Sequence, residues 1–263
     1  MLLPEPQPSR WDLHWRMFGA EARIRPIFWP SCVLLGLIYY QDRVVGGTGA
    51  FCFWIAAVLV SLLAHETSHI LVARLFGARP RCVLSGLGGQ VYGLDERKRW
   101  QRVLVLLAGS LGNVLIFGIL WLAISERTPL PVAQLGRDWS TFIANGTKML
   151  MMINALWCLL NVLPLWPLDG GRIALEVGDA LLGRRGQTLA LLLSLLTCLL
   201  MSASVIVWAR YFLIDRFDPA YGIYLSYFCI MALYCYLFWL VTFRALWGDP
   251  LPLDEPDKSG RAA

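Results

Sequence analysis

Long apolar runs constrain the fold of this chain more than any other feature. Of its 263 residues, 57% are hydrophobic and only 16% are charged, and the mean hydropathy is +0.58. Such values are typical of proteins that cross a bilayer several times with helices of about 20 residues. Six runs match this description: 26–40, 45–76, 102–125, 147–166, 187–209 and 221–243. The sequence therefore predicts an all-α polytopic membrane protein with about six transmembrane helices.

The distribution of basic residues predicts an orientation. With six spans and a cytoplasmic N-terminus, the inner segments hold 17 lysines and arginines and the outer segments hold 6. Cytoplasmic loops are generally the richer in these residues, so both termini are predicted in the cytoplasm. The net charge of +5 follows from this bias and indicates no nucleic-acid partner. Residues 1–25 resemble no secretory signal and are expected to be an interfacial segment or a disordered tail.

A potential metal site lies inside the second apolar run. His65 and His69 are four residues apart, so on a helix they share a face and can bind one metal ion. Glu66 is adjacent and can act as a base toward water at that metal. The third histidine of the chain, His14, lies in the polar N-terminal segment. The pattern predicts a zinc-protease site in the membrane, and a pair of core histidines is the alternative.

A catalytic zinc with two histidine ligands and a water lacks one protein ligand. Asp169 is the best candidate because Glu66 and Asp169 are the carboxylates expected at membrane depth, where an unpaired charge is costly. Pro164 and Pro167 predict that the fourth span stops near Leu163 and continues as extended or turned chain through the double glycine after Asp169. A plain helix end with an interfacial turn is the alternative.

The predicted orientation agrees with this ligand set. The second and fourth spans both run from outside to inside, which brings His65, His69 and Asp169 to the cytoplasmic leaflet. Counted from Gly77, where the second span is expected to end, the metal would lie about 12 Å inside the helix end. The two parts of the site can therefore meet at a similar depth.

Together, His65-Glu66-x-x-His69 and Asn161-x-x-Pro164-x-x-Pro167-Leu168-Asp169-Gly170 resemble the site-2 protease family of intramembrane zinc metalloproteases. The resemblance implies that His65, His69 and Asp169 bind one zinc ion per chain, that Glu66 is the catalytic acid and base, and that Asn161 lies close to the substrate backbone. It covers residues 45–180, the expected metalloprotease core around three helices.

The resemblance also implies the surroundings of this core. Residues 1–25 would be a cytoplasmic or interfacial segment, 26–44 an accessory span, 181–245 two accessory spans and 246–263 a cytoplasmic tail. We expect a compact member without PDZ or CBS domains, located in a prokaryotic plasma (inner) membrane with its active site toward the cytoplasm. Its expected partners are single-span membrane-protein substrates, the lipid bilayer and a regulatory membrane protein.

Two further stretches have weaker patterns. Residues 82–92, around Gly86-Leu87-Gly88-Gly89, predict a β-hairpin after the metal helix or an ordinary cytoplasmic loop. A free edge of that hairpin would hold an extended substrate by strand addition. In the third span, Asn113 follows several small residues and is predicted to face the site as a substrate-binding residue, although packing alone explains the glycines.

Two other functions remain open. One is a membrane-anchored zinc protease that cuts soluble or unfolded segments and uses Glu176 as its third ligand. The other is a non-catalytic metal-binding transporter or scaffold that uses the intramembrane carboxylates as an ion path.

Overall fold

The computed structural model describes residues 5–40, 48–86, 88–94, 97–124 and 137–215. This part of the chain contains six helices: α1 Phe28–Tyr40, α2 Thr48–Leu75, α3 Arg99–Ile124, α4 Arg137–Val162, α5 Asp169–Leu182 and α6 Arg184–Asp215. It also contains four strands: β1 Leu13–Met17, β2 Ala20–Ile24, β3 Arg81–Ser85 and β4 Gly88–Tyr92.

Three of the described helices are long and apolar enough to cross a membrane. They lie in α2, α3 and α6, over Phe51–Leu75, Arg99–Ala123 and Arg184–Ser204, and they match three of the predicted spans. The fourth prediction corresponds to a shorter apolar segment, Gly146–Val162. The first corresponds to α1, which has 13 residues. The predicted span at 221–243 and the tail at 246–263 lie outside the described residues.

The N-terminal segment corrects the all-α prediction, because it folds into a hairpin. Strands β1 and β2 pair antiparallel around Phe18 and Gly19, whose φ angles of 49° and 76° suit a tight two-residue turn. Residues of both strands face the core, among them Met17, Ala22 and Ile24. Buried Arg23 interrupts the apolar alternation of β2, and no strand was predicted for this segment.

The hairpin predicted after the metal helix is present and belongs to a larger sheet. Strands β3 and β4 pair antiparallel from Ser85–Gly88 to Arg81–Tyr92, and β3 also pairs in parallel with β2. The sheet order is β1-β2-β3-β4, so β4 is an edge strand. Both β3 and β4 contact α2, and their buried side chains, including Leu84 and Val91, join the same apolar core as Leu62 and Ile70 of α2.

The three-helix core consists of α2, α3 and α4, which contact one another. Helix α2 ends where predicted, since Gly77 adopts a φ of 73° and its N–H donates to the carbonyl of Arg74 at 2.8 Å. The Nη1 of Arg97 donates to the carbonyl of Phe76 at 2.6 Å. The chain then turns directly into β3, which holds the sheet against the end of α2 that carries the histidines.

A buried ion pair stabilises the N-terminal hairpin. The Nη1 of Arg23 donates to the Oδ2 of Asp12 at 2.8 Å, with side-chain exposures of 7% and 0%. Burial alone would raise the pKa of the Asp12 carboxyl, but hydrogen bonds from the Ser9 backbone and the Arg23 guanidinium outweigh that effect and lower it. The stabilisation is therefore present above the ordinary carboxyl pKa and is lost as the pH falls toward the lowered value.

We expect Asp12→Ala to lower the free energy of unfolding by about 3 kcal/mol, because it leaves the buried Arg23 without its main counter-ion. The thermal unfolding midpoint in detergent measures this change. Arg81→Ala is the control, since the Arg81–Glu5 ion pair at 2.8 Å is half-exposed, with side-chain exposures of 52% and 29%, and should contribute less than about 1 kcal/mol. Equal losses in the two variants would contradict the prediction.

Candidate metal centre

Two helices bring His65, His69 and Asp169 together. Both histidines lie on one face of α2, and Asp169 is the first residue of α5. The two Nε2 atoms are 3.0 Å apart. The Oδ2 of Asp169 lies 3.0 Å from the Nε2 of His65 and 3.1 Å from that of His69. All three residues are buried, so the predicted ligand atoms form one compact cluster.

A hydrogen bond at the Nδ1 of each histidine, on the side of the ring away from the cluster, fixes the ring so that its Nε2 faces the cluster. The Nδ1 of His69 lies 2.6 Å from the carbonyl oxygen of Val105, which can only accept a hydrogen bond. The Nδ1 of His69 must therefore carry a hydrogen, which leaves a lone pair on its Nε2 in the neutral ring. The Nδ1 of His65 lies 2.6 Å from the Oδ1 of Asn113, so the same reasoning applies there.

The orientation of the Asn113 amide follows from its other contacts. Its Nδ2 donates to the carbonyl of Ser61 at 3.2 Å and to the Oδ1 of Asn154 at 2.8 Å. The Nδ2 of Asn154 in turn donates to the Oγ of Ser61 at 3.0 Å and to the carbonyl of Leu150 at 2.8 Å. Ser61, Asn113 and Asn154 are completely buried. A fully paired network across α2, α3 and α4 thus holds His65 in the tautomer that a metal requires.

This network changes the interpretation of Asn113. The sequence predicted a substrate-binding residue, but the Asn113 amide lies behind His65, with no exposed surface, and all its hydrogen bonds go to protein. The structure places it as support for a ligand instead. Asn154 and Ser61 complete the network. The sequence signal for such a role was the presence of polar residues within apolar helices.

The donor set fits a zinc ion. Two neutral imidazole nitrogens and one carboxylate oxygen all present lone pairs to the same point, which only a proton or a cation can satisfy. Their separations of 3.0 to 3.1 Å compare with about 3.3 Å between ligands of a tetrahedral zinc with bonds of 2.0 Å. The neighbouring Glu66 is 1% exposed, and its Oε2 has no hydrogen-bond partner among the described residues. These are the features of a zinc site with a base beside it.

Two glycines allow other elements to approach the site closely. A Cβ at Gly109 of α3 would overlap the Nε2 of His69 and lie 2.6 Å from the Cε1 of His65. A Cβ at Gly89 of β4 would overlap the Glu66 carboxylate. The backbone of α3 therefore forms one wall of the site and the edge strand β4 forms another. The sequence predicted packing glycines in the third span but could not show what they pack against.

The turn after α4 positions Asp169. Helix α4 ends at Val162, as the prolines predicted. The prediction that the double glycine continues as extended or turned chain is wrong, because Asp169, Gly170 and Gly171 form the first turn of α5. Only residues 163–168 are irregular, and the Asp169 carboxylate is at the N-terminus of a helix, where a negative charge is favoured.

The alternative third ligand, Glu176, is engaged elsewhere. Its carboxylate accepts hydrogen bonds from the Nε and Nη2 of Arg102, both at 2.7 Å. Asp179, one turn later on α5, pairs with Arg99 and also accepts a bond from the Nε2 of Gln187 at 2.7 Å. The ion pairs fix α5 against α3, the hydrogen bond from Gln187 connects α5 to α6, and Glu176 is not part of the metal cluster.

A small, partly open cavity adjoins the cluster. Its lining includes Glu66, His69 and Asp169 on one side, the β4 residues 89–91 on another, and Arg172 of α5. Asn161 is not among the described residues that line it. That side chain is buried on the last turn of α4, where its Nδ2 donates to the carbonyl of Trp157 at 2.9 Å. Its contact with substrate stays a prediction.

Comparisons with known proteins bear on this site. No protein-family model matches the chain. The candidate zinc metalloprotease sll0528 of Synechocystis sp. is 28% identical over 183 residues, which is 65% of this chain and 45% of that protein. The candidate zinc metalloprotease Rip3 of Mycobacterium tuberculosis is 31% identical over 164 residues, which is 56% of this chain and 39% of that protein.

A solved structure matches the fold. The site-2 protease from Methanocaldococcus jannaschii superposes with a TM-score of 0.52 at 16% identity, over 90% of this chain and 95% of that one. At this identity the likeness shows the fold of the chain. The chain spans less than half the length of the curated relatives it matches. With three described helices long and apolar enough to cross a bilayer, the chain is a membrane protein.

We expect Gly109→Ala to abolish stoichiometric zinc binding, because the new methyl group would occupy the position of the ligand nitrogen of His69. Metal content of the purified protein measures the loss. Gly118→Ala is the matched control on the same helix, where a Cβ would meet nothing within 4 Å. Zinc bound equally by both variants would refute the close approach.

We expect Asn113→Ala to lower zinc affinity by about 10-fold to 100-fold, because His65 loses the partner that fixes its tautomer and ring orientation. Competition with a chelator of known affinity measures the change. The secondary structure by circular dichroism serves as the control for folding. An unchanged affinity in a folded variant would show that the network does not support the metal.

Proposed function

We propose that this chain is an intramembrane zinc metalloendopeptidase, which hydrolyses peptide bonds in or near the transmembrane segments of membrane proteins. One observation carries the proposal: three metal-ligand atoms about 3 Å apart lie between apolar helices, beside a buried oxygen of Glu66 that lacks a partner among the described residues. The names of the two relatives support the metalloprotease chemistry, and the apolar helices support its location in the membrane.

The residues of the site have distinct roles in this reaction. His65, His69 and Asp169 would hold the zinc, which supplies Lewis-acid chemistry when bound. Glu66 accepts a proton from the attacking water and later transfers it to the amide nitrogen that leaves. The buried position of Glu66, beneath β4, keeps its carboxylate away from other partners. The network behind His65 and the carbonyl of Val105 behind His69 keep both rings oriented.

The edge strand β4 is the proposed binding site for the substrate backbone. A transmembrane helix hides its carbonyl groups in its own hydrogen bonds, so a protease must act on an unwound segment. Strand β4 has one free edge in the described sheet, and its residues 89–91 line the cavity beside Glu66. An extended substrate added to this edge would place its carbonyl groups next to the cluster.

We further propose that the site opens toward the cytoplasm of a prokaryotic cell, with both termini on that side. The excess of basic residues in the inner segments supports this orientation. The expected partners are single-span membrane-protein substrates and a regulatory membrane protein.

Three variants test the proposal. We expect Glu66→Gln to abolish cleavage of single-span model substrates while zinc remains, because the variant loses the base and keeps the ligands. Asp169→Ala should lose both zinc and activity. Glu176→Ala should keep its zinc, because that carboxylate pairs with Arg102. Elemental analysis and gel assays on protein in proteoliposomes measure both properties.

The outcomes separate the candidate functions. Zinc-dependent cleavage by Glu66→Gln would show that Glu66 is not the base. Loss of zinc in Glu176→Ala with retention in Asp169→Ala would favour the membrane-anchored protease with the other ligand. Zinc-loaded wild type that cleaves no membrane substrate would favour the transporter or scaffold.

A further inference from the structure

Arg172 of α5 stands apart from the other arginines around the site. Its side chain is half-buried and lines the cavity together with Glu66 and Asp169. Because it follows Asp169 by three residues on the same helix, it lies on the same face as that ligand. A fixed positive charge therefore borders the space in which the peptide bond would be cleaved.

The guanidinium of Arg172 has no hydrogen-bond or ion-pair partner in the part of the chain that the structure describes. Its neighbours differ in this respect. Arg102 pairs with Glu176, Arg99 pairs with Asp179, and Arg97 donates to the carbonyl of Phe76. Its five N–H donors therefore remain available at the border of the site, and their charge and planar geometry suit an anionic oxygen.

We propose that Arg172 is a catalytic residue that donates hydrogen bonds to the oxyanion formed from the scissile carbonyl. This inference rests on the proposed function and adds a residue to it. Asn161 was expected to lie close to the substrate backbone, but its Nδ2 donates to the carbonyl of Trp157 and it is not among the described residues of the cavity lining. Arg172 lies in that lining and carries a full positive charge.

The proposed step is balanced in atoms and electrons. The water oxygen forms a bond to the carbonyl carbon, its proton passes to Glu66, and the π electron pair moves to the carbonyl oxygen. Arg172 stabilises the resulting negative charge. When the pair returns, the carbon–nitrogen bond breaks and Glu66 gives its proton to the nitrogen. Because the negative charge on oxygen is greatest in the transition state, the contribution of Arg172 should appear in kcat more than in KM.

Substitution of Arg172 tests this role, with zinc-loaded full-length protein in proteoliposomes. We expect Arg172→Gln to lower kcat by about 100-fold to 1,000-fold with little change in KM, and Arg172→Lys to recover part of the loss. Zinc content should be unchanged in both variants. Arg185→Gln, at an exposed position of α6, is the matched control and should behave as wild type.

A second readout does not depend on turnover. A phosphinic peptide mimics the tetrahedral oxyanion, and its affinity can be measured by calorimetry. We expect Arg172→Gln to bind this peptide more weakly by the same factor by which kcat/KM falls, while affinity for an uncleavable substrate peptide stays constant.

Three results would overturn the inference. They are a kcat of Arg172→Gln within threefold of wild type, a loss confined to KM, and equal phosphinate affinity in the variant and wild type. If zinc-loaded wild type cleaves no substrate, the proposed function fails. The phosphinate comparison then still decides whether Arg172 binds an anion at this site.

Discussion

The close approach of three electron-pair donors in an apolar interior is the constraint on which this structure depends. Two imidazole nitrogens and a carboxylate oxygen, separated by 3.0 to 3.1 Å, would be unfavourable neighbours without a cation between them. Burying the negative charge of Asp169 among apolar helices is costly unless it is paired. A bound zinc ion offsets both costs, so the fold and the metal site stabilise each other.

The surroundings hold the donors in place by different means. Hydrogen bonds fix the rings, through Asn113 for His65 and the carbonyl of Val105 for His69. The absence of a side chain at Gly109 lets α3 approach both rings. Ion pairs at the ends of the helices connect α5 to α3, through Arg102–Glu176 and Arg99–Asp179, and so fix the helix that begins with Asp169. All of these devices act from α3, so the packing of α3 against α2 and α5 determines the geometry of the site.

The sheet gives the site a wall that is not made of helices. Strand β4 lies so close to Glu66 that only glycine fits at position 89, and β4 is held through β3 to the N-terminal hairpin. The hairpin in turn depends on the buried pair of Arg23 and Asp12. The N-terminal segment, which the sequence indicated as interfacial or disordered, is thereby connected to the position of the Glu66 carboxylate. Strand edges also present unpaired backbone groups, which is the property a protease needs to bind an unwound substrate.

The sequence by itself determined the apolar helices, the helix that carries His65, Glu66 and His69, the end of α4 before Pro164 and the pairing of these histidines with Asp169. These follow from local patterns, since helical spacing, proline chemistry and the cost of a buried carboxylate are all readable along the chain. Only the tertiary structure decided that Asn113 supports His65, that Glu176 pairs with Arg102, that the N-terminal strands join the sheet and that Arg172 borders the cavity. Those roles depend on which side chains from distant segments meet and in which direction their hydrogen bonds run, and no spacing within a single segment contains that information.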